Sequence, residues 1–531
     1  MSLQWQLARQ VPGDTAQLGQ TLLAPENVYR QIGDRFDELF PTDGFFAELY
    51  ETTGRGAISP VLLAVVTVLQ MLEKTPDRQA AEWVVSRIDW KYALHLPLTY
   101  TGFHFTDLYA FRGRLLAHQQ ERQLFDDVLG KLKTLGLIKR RGKMRTDSTH
   151  LLAVVEHLSQ LELVAESLRV ALRAVTTVAP DWAQQSLPAT FREECSQRQT
   201  GYGLNDQEVL THLVQAGQDS FWFLAQVDHS APSGVPDLAE LQVLRTVLEQ
   251  QFPSGAGGPP ATRRPTGGEV IESPHEPEAR FGPKRGKGWI GYKVQVTETC
   301  DTDQPHLIVD IEPTGATAND SPELPKIQAR LKEREVLPSE QQVDQGYMSG
   351  QRMAESADLG INLMGVPLDD TQGPDGFRQD DFKMDEAAQH ATCPAGHTSV
   401  VWSEHPVPGA PALQVKLRFD APTCQACPFF GQCTSSSQGR SLTLHPYRAL
   451  LAQRRAEAQT EDFMNRLHLR AGIEGTLSEL VRGHRLRWAR FRGQAKVRLQ
   501  TYFTALAVNL KRVTRWWARL QTVRAEAAAT A

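Results

Sequence analysis

Trp289-Ile290-Gly291-Tyr292-Lys293-Val294-Gln295-Val296-Thr297 puts Lys293, Gln295 and Thr297 on one side and Tyr292, Val294 and Val296 on the other. A period of two residues is the mark of a half-buried strand. Reading outward, Leu307-Ile308-Val309-Asp310-Ile311 is a second strand, and Ser321-Pro322-Glu323 opens a helix. Gln341-Gln342-Val343-Asp344-Gln345-Gly346-Tyr347 reads as a strand end turning into a helix over 350–358. Gly360 ends that helix, and Ile361-Asn362-Leu363-Met364-Gly365-Val366 is another strand. Strands alternating with helices predict an α/β fold built on a mixed sheet over 289–370.

Upstream, residues 1–140 read as a helical N-terminal domain for DNA binding or dimerisation. Ser59-Pro60 starts a buried apolar helix, Thr75-Pro76-Asp77 caps the next, and a third begins near Thr106. The basic connector Lys139-Arg140-Arg141-Gly142-Lys143 leads into Met144-Arg145-Thr146-Asp147-Ser148-Thr149-His150, a first core strand over 141–150. Residues 151–288 are expected to form a helical insert. It runs helically through Leu151–Val178, less clearly to Phe252, and ends in a Gly/Pro-rich linker, Pro253–Gly288, in which Lys284, Arg285 and Lys287 are candidate contacts for a polyanion.

The net charge of −5 hides a basic block. Arg440 to Arg524 carries 18 Lys and Arg against 5 Asp and Glu, and no acid lies between Glu479 and Glu526. Such a block on an otherwise acidic chain suggests a polyanion partner. Arg482, Arg485, Arg487, Arg490, Arg492, Lys496 and Arg498 form its densest part, with Trp488 and Phe491 interleaved. An aromatic at this spacing is expected in the core, with stacking on an unpaired base as the alternative. No signal peptide or membrane span is read from the sequence, so a cytoplasmic, nucleoid-associated protein without a membrane partner is expected.

Four of the six cysteines, Cys393, Cys424, Cys427 and Cys433, fall within 371–445. In a reducing compartment this spacing suits a metal before a disulfide. Structural zinc is the first expectation and an iron–sulfur cluster the second, with His397 as a replacement ligand.

Asp147 and Asp344 each stand where a strand pattern breaks. Carboxylates at neighbouring strand ends, joined by one from a nearby helix, suit the two hard cations that phosphodiester chemistry uses. Arg470 and Glu474 keep an Arg-x-x-x-Glu spacing, which shares one helical face.

The strings Arg145-Thr146-Asp147-Ser148-Thr149-His150, Val343-Asp344-Gln345-Gly346-Tyr347 and Arg470-Ala471-Gly472-Ile473-Glu474 resemble the three acidic motifs of insertion-sequence DDE transposases, closest to the insertion sequence 1182 family. The resemblance implies an RNase H-like core interrupted by the helical insert and a cysteine-rich insert, completed by the basic region 446–531. It implies Asp147, Asp344 and Glu474 as ligands of two Mg²⁺ or Mn²⁺ ions, with Arg470 and Arg482 on phosphates. The implied substrates are the double-stranded terminal repeats of the element and target DNA, cut and then joined by strand transfer, on a homodimer. Related elements carry Tyr and Lys where this chain has Leu467 and Val481, so Glu474 rests on its Arg470 partner, with Glu479 and Glu461 as fallbacks. Two other readings stand beside this one: a metal-dependent nuclease with an iron–sulfur cluster, and a catalytically inactive, transposase-derived DNA-binding protein.

Overall fold

The computed structural model describes the chain except residues 1, 4, 5, 156, 157, 257, 262–264, 266, 285, 370–372, 411 and 531. Six strands make the central sheet: β1 (Lys143–Leu152), β2 (Arg280–Lys284), β3 (Lys287–Thr299), β4 (Ile308–Gly315), β5 (Glu340–Val343) and β6 (Asn362–Met364). Across the sheet the order is β4-β3-β1-β5-β6, and β2 forms a hairpin with the start of β3. β1 runs antiparallel to β3 and parallel to β5, which runs parallel to β6.

The first strand extends past the predicted boundary at residue 150. It continues to Leu152 because its pairing with β3 continues to Gly291, where the backbones close in. A Cβ on Gly291 would fall 2.1 Å from the Leu151 carbonyl oxygen, so the alternating run needs a glycine there. The helix expected from Leu151 therefore starts only at Gln160, capped by Ser159 and Glu162. Likewise the Gly/Pro-rich linker is not a loop to its end, since β2 and the start of β3 lie inside it. The helix read at Ser321 begins at Asp320 with Asn319 as its N-cap residue.

Three larger hydrophobic cores form. The first joins the N-terminal helices, the sheet and the C-terminal helix: Leu62, Val65 and Leu69 belong to the same buried cluster as Val294, Ile308 and Leu506. The N-terminal region therefore shares its core with the sheet. Pro60–Glu73 is buried on nearly every side, which explains its unbroken apolar run. Asn509, fully buried on the C-terminal helix Gln494–Thr530, ties that helix to β4: its amide donates to the Ile308 carbonyl and accepts from the Ile308 N–H, both at 2.8 Å. A second core from Leu158 to Ile271 belongs to the helical insert.

The third holds the cysteine-rich region. There β7 (Lys383–Asp385) and β8 (His390–Thr392) form a hairpin, and β9 (Val401–His405), β10 (Gln414–Arg418) and β11 (Ser441–Leu444) a small sheet. No described helix is long and apolar enough to cross a membrane.

Candidate active site

Thr146 in β1 is the register partner of Val343 in β5, so Asp147 and Asp344 follow at adjoining positions on two parallel strands. On the opposite face from Asp147, a buried polar ladder fixes this register. Gln341 donates to the Thr146 hydroxyl at 2.9 Å, Thr146 and Thr297 share a hydroxyl bond of 2.8 Å, and Gln328 donates to Gln341 at 2.9 Å. Tyr347 closes the ladder with a hydrogen bond to Gln295, and burial pushes its phenol well above the usual range, keeping it protonated.

Arg145 shares a strand face with Asp147 by the period of two. It donates to Glu298 at 2.7 Å and to the Leu469 carbonyl at 2.6 Å. Glu298 also accepts from Thr476 at 2.6 Å and from Arg512 at 2.7 Å. These bonds pin the helix Gly472–Ser478 over the strands. Gly472 leaves room for this packing: a Cβ there would fall 1.8 Å from the Arg145 guanidinium and displace it. None of this anchoring is apparent from the acidic motifs themselves. The signal present was the alternation placing Arg145 beside Asp147.

Pinned this way, the helical segment brings Arg470 to both acids, 3.4 Å from Asp147 and 3.9 Å from Asp344. Asp147 is about one-fifth exposed and Asp344 about half (side chains 19% and 56%). Glu474 is exposed one turn beyond Arg470 on the same flank. Glu479 faces elsewhere. Burial alone would raise its carboxyl, but Lys511 at 2.7 Å and Arg512 at 2.8 Å outweigh that and hold it below the usual range. Glu461 begins the helix Glu461–Leu467 on the surface. Among the described residues, no group of three or more His, Cys, Asp or Glu is arranged to hold a metal ion. The donor chemistry still fits hard cations: Asp147, inside β1 and not at its end as expected, and Asp344, just past the end of β5, are two carboxylates on neighbouring strands with Arg470 near both.

The basic stripe divides in two. Arg487 donates to the His150 carbonyl at 2.5 Å, Arg490 to the Thr75 carbonyl at 2.7 Å, and Arg498 to Glu312 at 2.7 Å, so these three tie the fold together. Arg482, Arg485, Arg492 and Lys496 are exposed. The stripe is not one helical face, because residues 484–493 form an irregular connection before the last helix. Phe491 packs against the core with the Arg112 guanidinium 5.1 Å from its ring centre, whereas Trp488 is 58% exposed, contrary to its expected burial. Lys284 and Lys287 pair across the β2–β3 turn as backbone, and Arg285 lies outside the described residues.

Cys393, Cys424, Cys427 and Cys433 line one small cavity with His397. Burial pushes the Cys433 thiol up, and the other three cysteines act on it in the same direction. Backbone N–H groups of His397 and Arg440 donate to the Cys393 and Cys424 sulfurs at 3.3 and 3.5 Å. Cys195 and Cys300 are isolated in the cores, as expected, and burial pushes both thiols up to about 12.

Two family models match the chain. One is described as a transposase DDE domain, over residues 392–514, and the other as a transposase domain (DUF772), over residues 18–114. Both support a DDE transposase. The first match takes in Arg470, Glu474 and the cysteines, and neither reaches the strands that carry Asp147 and Asp344. No curated protein and no solved structure matches the chain. A transposase acts on DNA, which supports a DNA partner, and DDE domains generally use a divalent metal such as Mg²⁺.

Proposed function

We propose that this protein cleaves DNA at the ends of an insertion sequence of the 1182 family and joins the freed ends to target DNA. The observation that carries the reading is Asp147 and Asp344 side by side on adjoining strands with Arg470 across both. An RNase H-like core is supported by the strand order β4-β3-β1-β5-β6, with three antiparallel strands followed by two that run parallel to β1. In the first step, water oxygen bonds to phosphorus and the 3′ oxygen leaves as a hydroxyl. In the second, that hydroxyl attacks a target phosphate, forming one P–O bond and breaking another.

Asp147, Asp344 and Glu474 would hold two Mg²⁺ or Mn²⁺ ions, which when bound activate the attacking oxygen and offset charge on the leaving one. Arg470, beside both acids, would hold a non-bridging phosphate oxygen. Exposed Arg482, Arg485, Arg492 and Lys496 contact phosphates without reading sequence. Cys393, Cys424, Cys427 and Cys433 would be the ligands of a structural zinc, a reading that starts from their spacing and common cavity, although among the described residues they are not drawn together as a metal-holding group. Two ends must be joined in one event, so the working form is a dimer on DNA, in the cytoplasm.

The test is strand transfer with terminal sequences taken from the DNA flanking the gene. Asp147→Asn and Asp344→Asn are expected to abolish joining and leave DNA binding nearly intact. Joining by both variants would overturn the assignment, and binding by wild type without any cutting in Mg²⁺ or Mn²⁺ would leave a DNA-binding protein only.

A further inference from the structure

The backbone at Trp488 is held firmly while its indole faces solvent. Leu152 at the end of β1 donates to the Arg487 carbonyl and accepts from the Ala489 N–H, both at 2.8 Å, so residues 487–489 continue the strand pairing. Beside the indole lies a cavity of about 530 Å³ between the core and the helical insert. Val154 and Val155 give it an apolar wall, and Arg169, Arg198 and Arg492 supply guanidinium groups. Glu166 also lines it, accepting from Arg169 and His275, both at 2.6 Å.

An aromatic plane, an apolar wall and several cations are what an unpaired base and its phosphate require. The volume suits one small organic ligand, for which about 300–1,000 Å³ is usual, and is far too small for a duplex. Glu166 with its partners offers both an acceptor and donors to a base edge. Five residues of β1 separate Asp147 from Leu152, about 17 Å at the rise of a strand. That length corresponds to about five stacked nucleotides.

We propose that this cavity receives an unpaired DNA base, stacked on Trp488, about five nucleotides from the phosphate at Arg470 beside Asp147. The proposal rests on the DNA-joining reading for its substrate. It gives the helical insert a role, since Glu166, Arg169 and Arg198 come from that insert.

The probe is a duplex of arbitrary sequence, blunt or with a single-stranded tail of about eight nucleotides carrying 2-aminopurine. Binding is measured by anisotropy without divalent metal, so that nothing is cut. Wild type is expected to prefer the tailed duplex about ten-fold and to quench the 2-aminopurine. Trp488→Ala should reduce the preference to about two-fold or less and remove the quenching, and Trp488→Phe should retain most of both. Blunt-duplex affinity should stay the same in all three, which separates stacking from loss of fold. Equal binding of the two probes by wild type, an undiminished preference in Trp488→Ala, or equally tight binding of a free deoxynucleotide would overturn the proposal. A protein that prefers tails but never cuts DNA defeats the transposase reading and leaves the cavity assignment standing. One that cuts DNA but ignores the tail defeats the cavity assignment alone.

Discussion

The guanidinium of Arg470 stands 3.4 Å from the carboxylate of Asp147. It also reaches Asp344, at 3.9 Å, so one side-chain cation is shared by two acids. Arg470→Ala is expected to bind Mn²⁺ about five- to ten-fold more tightly than wild type in the absence of DNA, because a competing positive charge is gone. The same variant should cleave at least ten-fold more slowly, having lost its phosphate contact. Titration followed by electron paramagnetic resonance gives the first quantity and a cleavage assay the second. Unchanged or weaker Mn²⁺ binding would show that Arg470 does not compete for the acids.

Two glutamates five residues apart have opposite surroundings. Glu474 is exposed beside Arg470, whereas Glu479 is bound to Lys511 and Arg512. Glu474→Gln should lose DNA joining with little change in stability. Glu479→Gln should lose about 3 kcal/mol of stability at neutral pH by leaving Lys511 and Arg512 without their carboxylate. Because the folded carboxyl is held low, the stabilisation it gives is present above its unfolded value and disappears as pH falls through the folded one. Urea melts at pH 7 and in acid, beside a joining assay, would separate the two; a stable, inactive Glu479→Gln would reverse the assignment.

Two buried histidines, His95 and His484, and the partly buried His306 set an acid limit. Burial pushes His95, His306 and His484 below the usual imidazole value, so the folded protein keeps them neutral where the unfolded chain protonates. The unfolded state then binds more protons, and stability should fall as pH drops below about 6.5. His484 touches the Met71 carbonyl at 3.0 Å, joining the N-terminal helices to the region behind the candidate site. His484→Asn should flatten the decline measured by urea melts between about pH 7 and 5. An identical slope would remove His484 as a contributor.

The thiols divide into two sets. Burial pushes Cys195 and Cys300 up to about 12, which makes them poor nucleophiles at neutral pH. In metal-stripped native protein, iodoacetamide is expected to modify Cys393, Cys424, Cys427 and Cys433 first, and added Zn²⁺ to protect those four together. Mass mapping of the modified peptides reads the result. Labelling unaffected by Zn²⁺ would rule out a four-cysteine zinc site.

The central sheet was readable because the alternation of β3 survives in sequence and because Asp344 sits where β5 ends, whereas Asp147 lies inside β1, which runs on to Leu152, and not at the break expected for it. What escaped was contact across distance. Arg145 and Glu298 are 153 residues apart, and Glu298 and Arg512 are 214 apart, so no local period shows the ion network that seats the helix of Glu474. The expected burial of Trp488 failed for a related reason. Interleaved arginines suggested a helix with an apolar side, but the backbone there pairs alongside the end of β1 at Leu152, and the indole faces outward. The N-terminal region read as a separate domain because its helices are locally complete, while the surfaces they share with the sheet and the last helix are long-range.

The pairing of β1 with β3 encloses the whole helical insert, and the helix bearing Glu474 comes still later. At about 5–20 residues per second of synthesis, Asp147 emerges on the order of half a minute before Glu474. Within that interval the strand lacks its lateral neighbours until β3 and then β5 emerge, and it lacks its cover throughout. The nascent chain therefore passes through a stage with an exposed strand edge, which the helical insert, made before β3, is placed to shield.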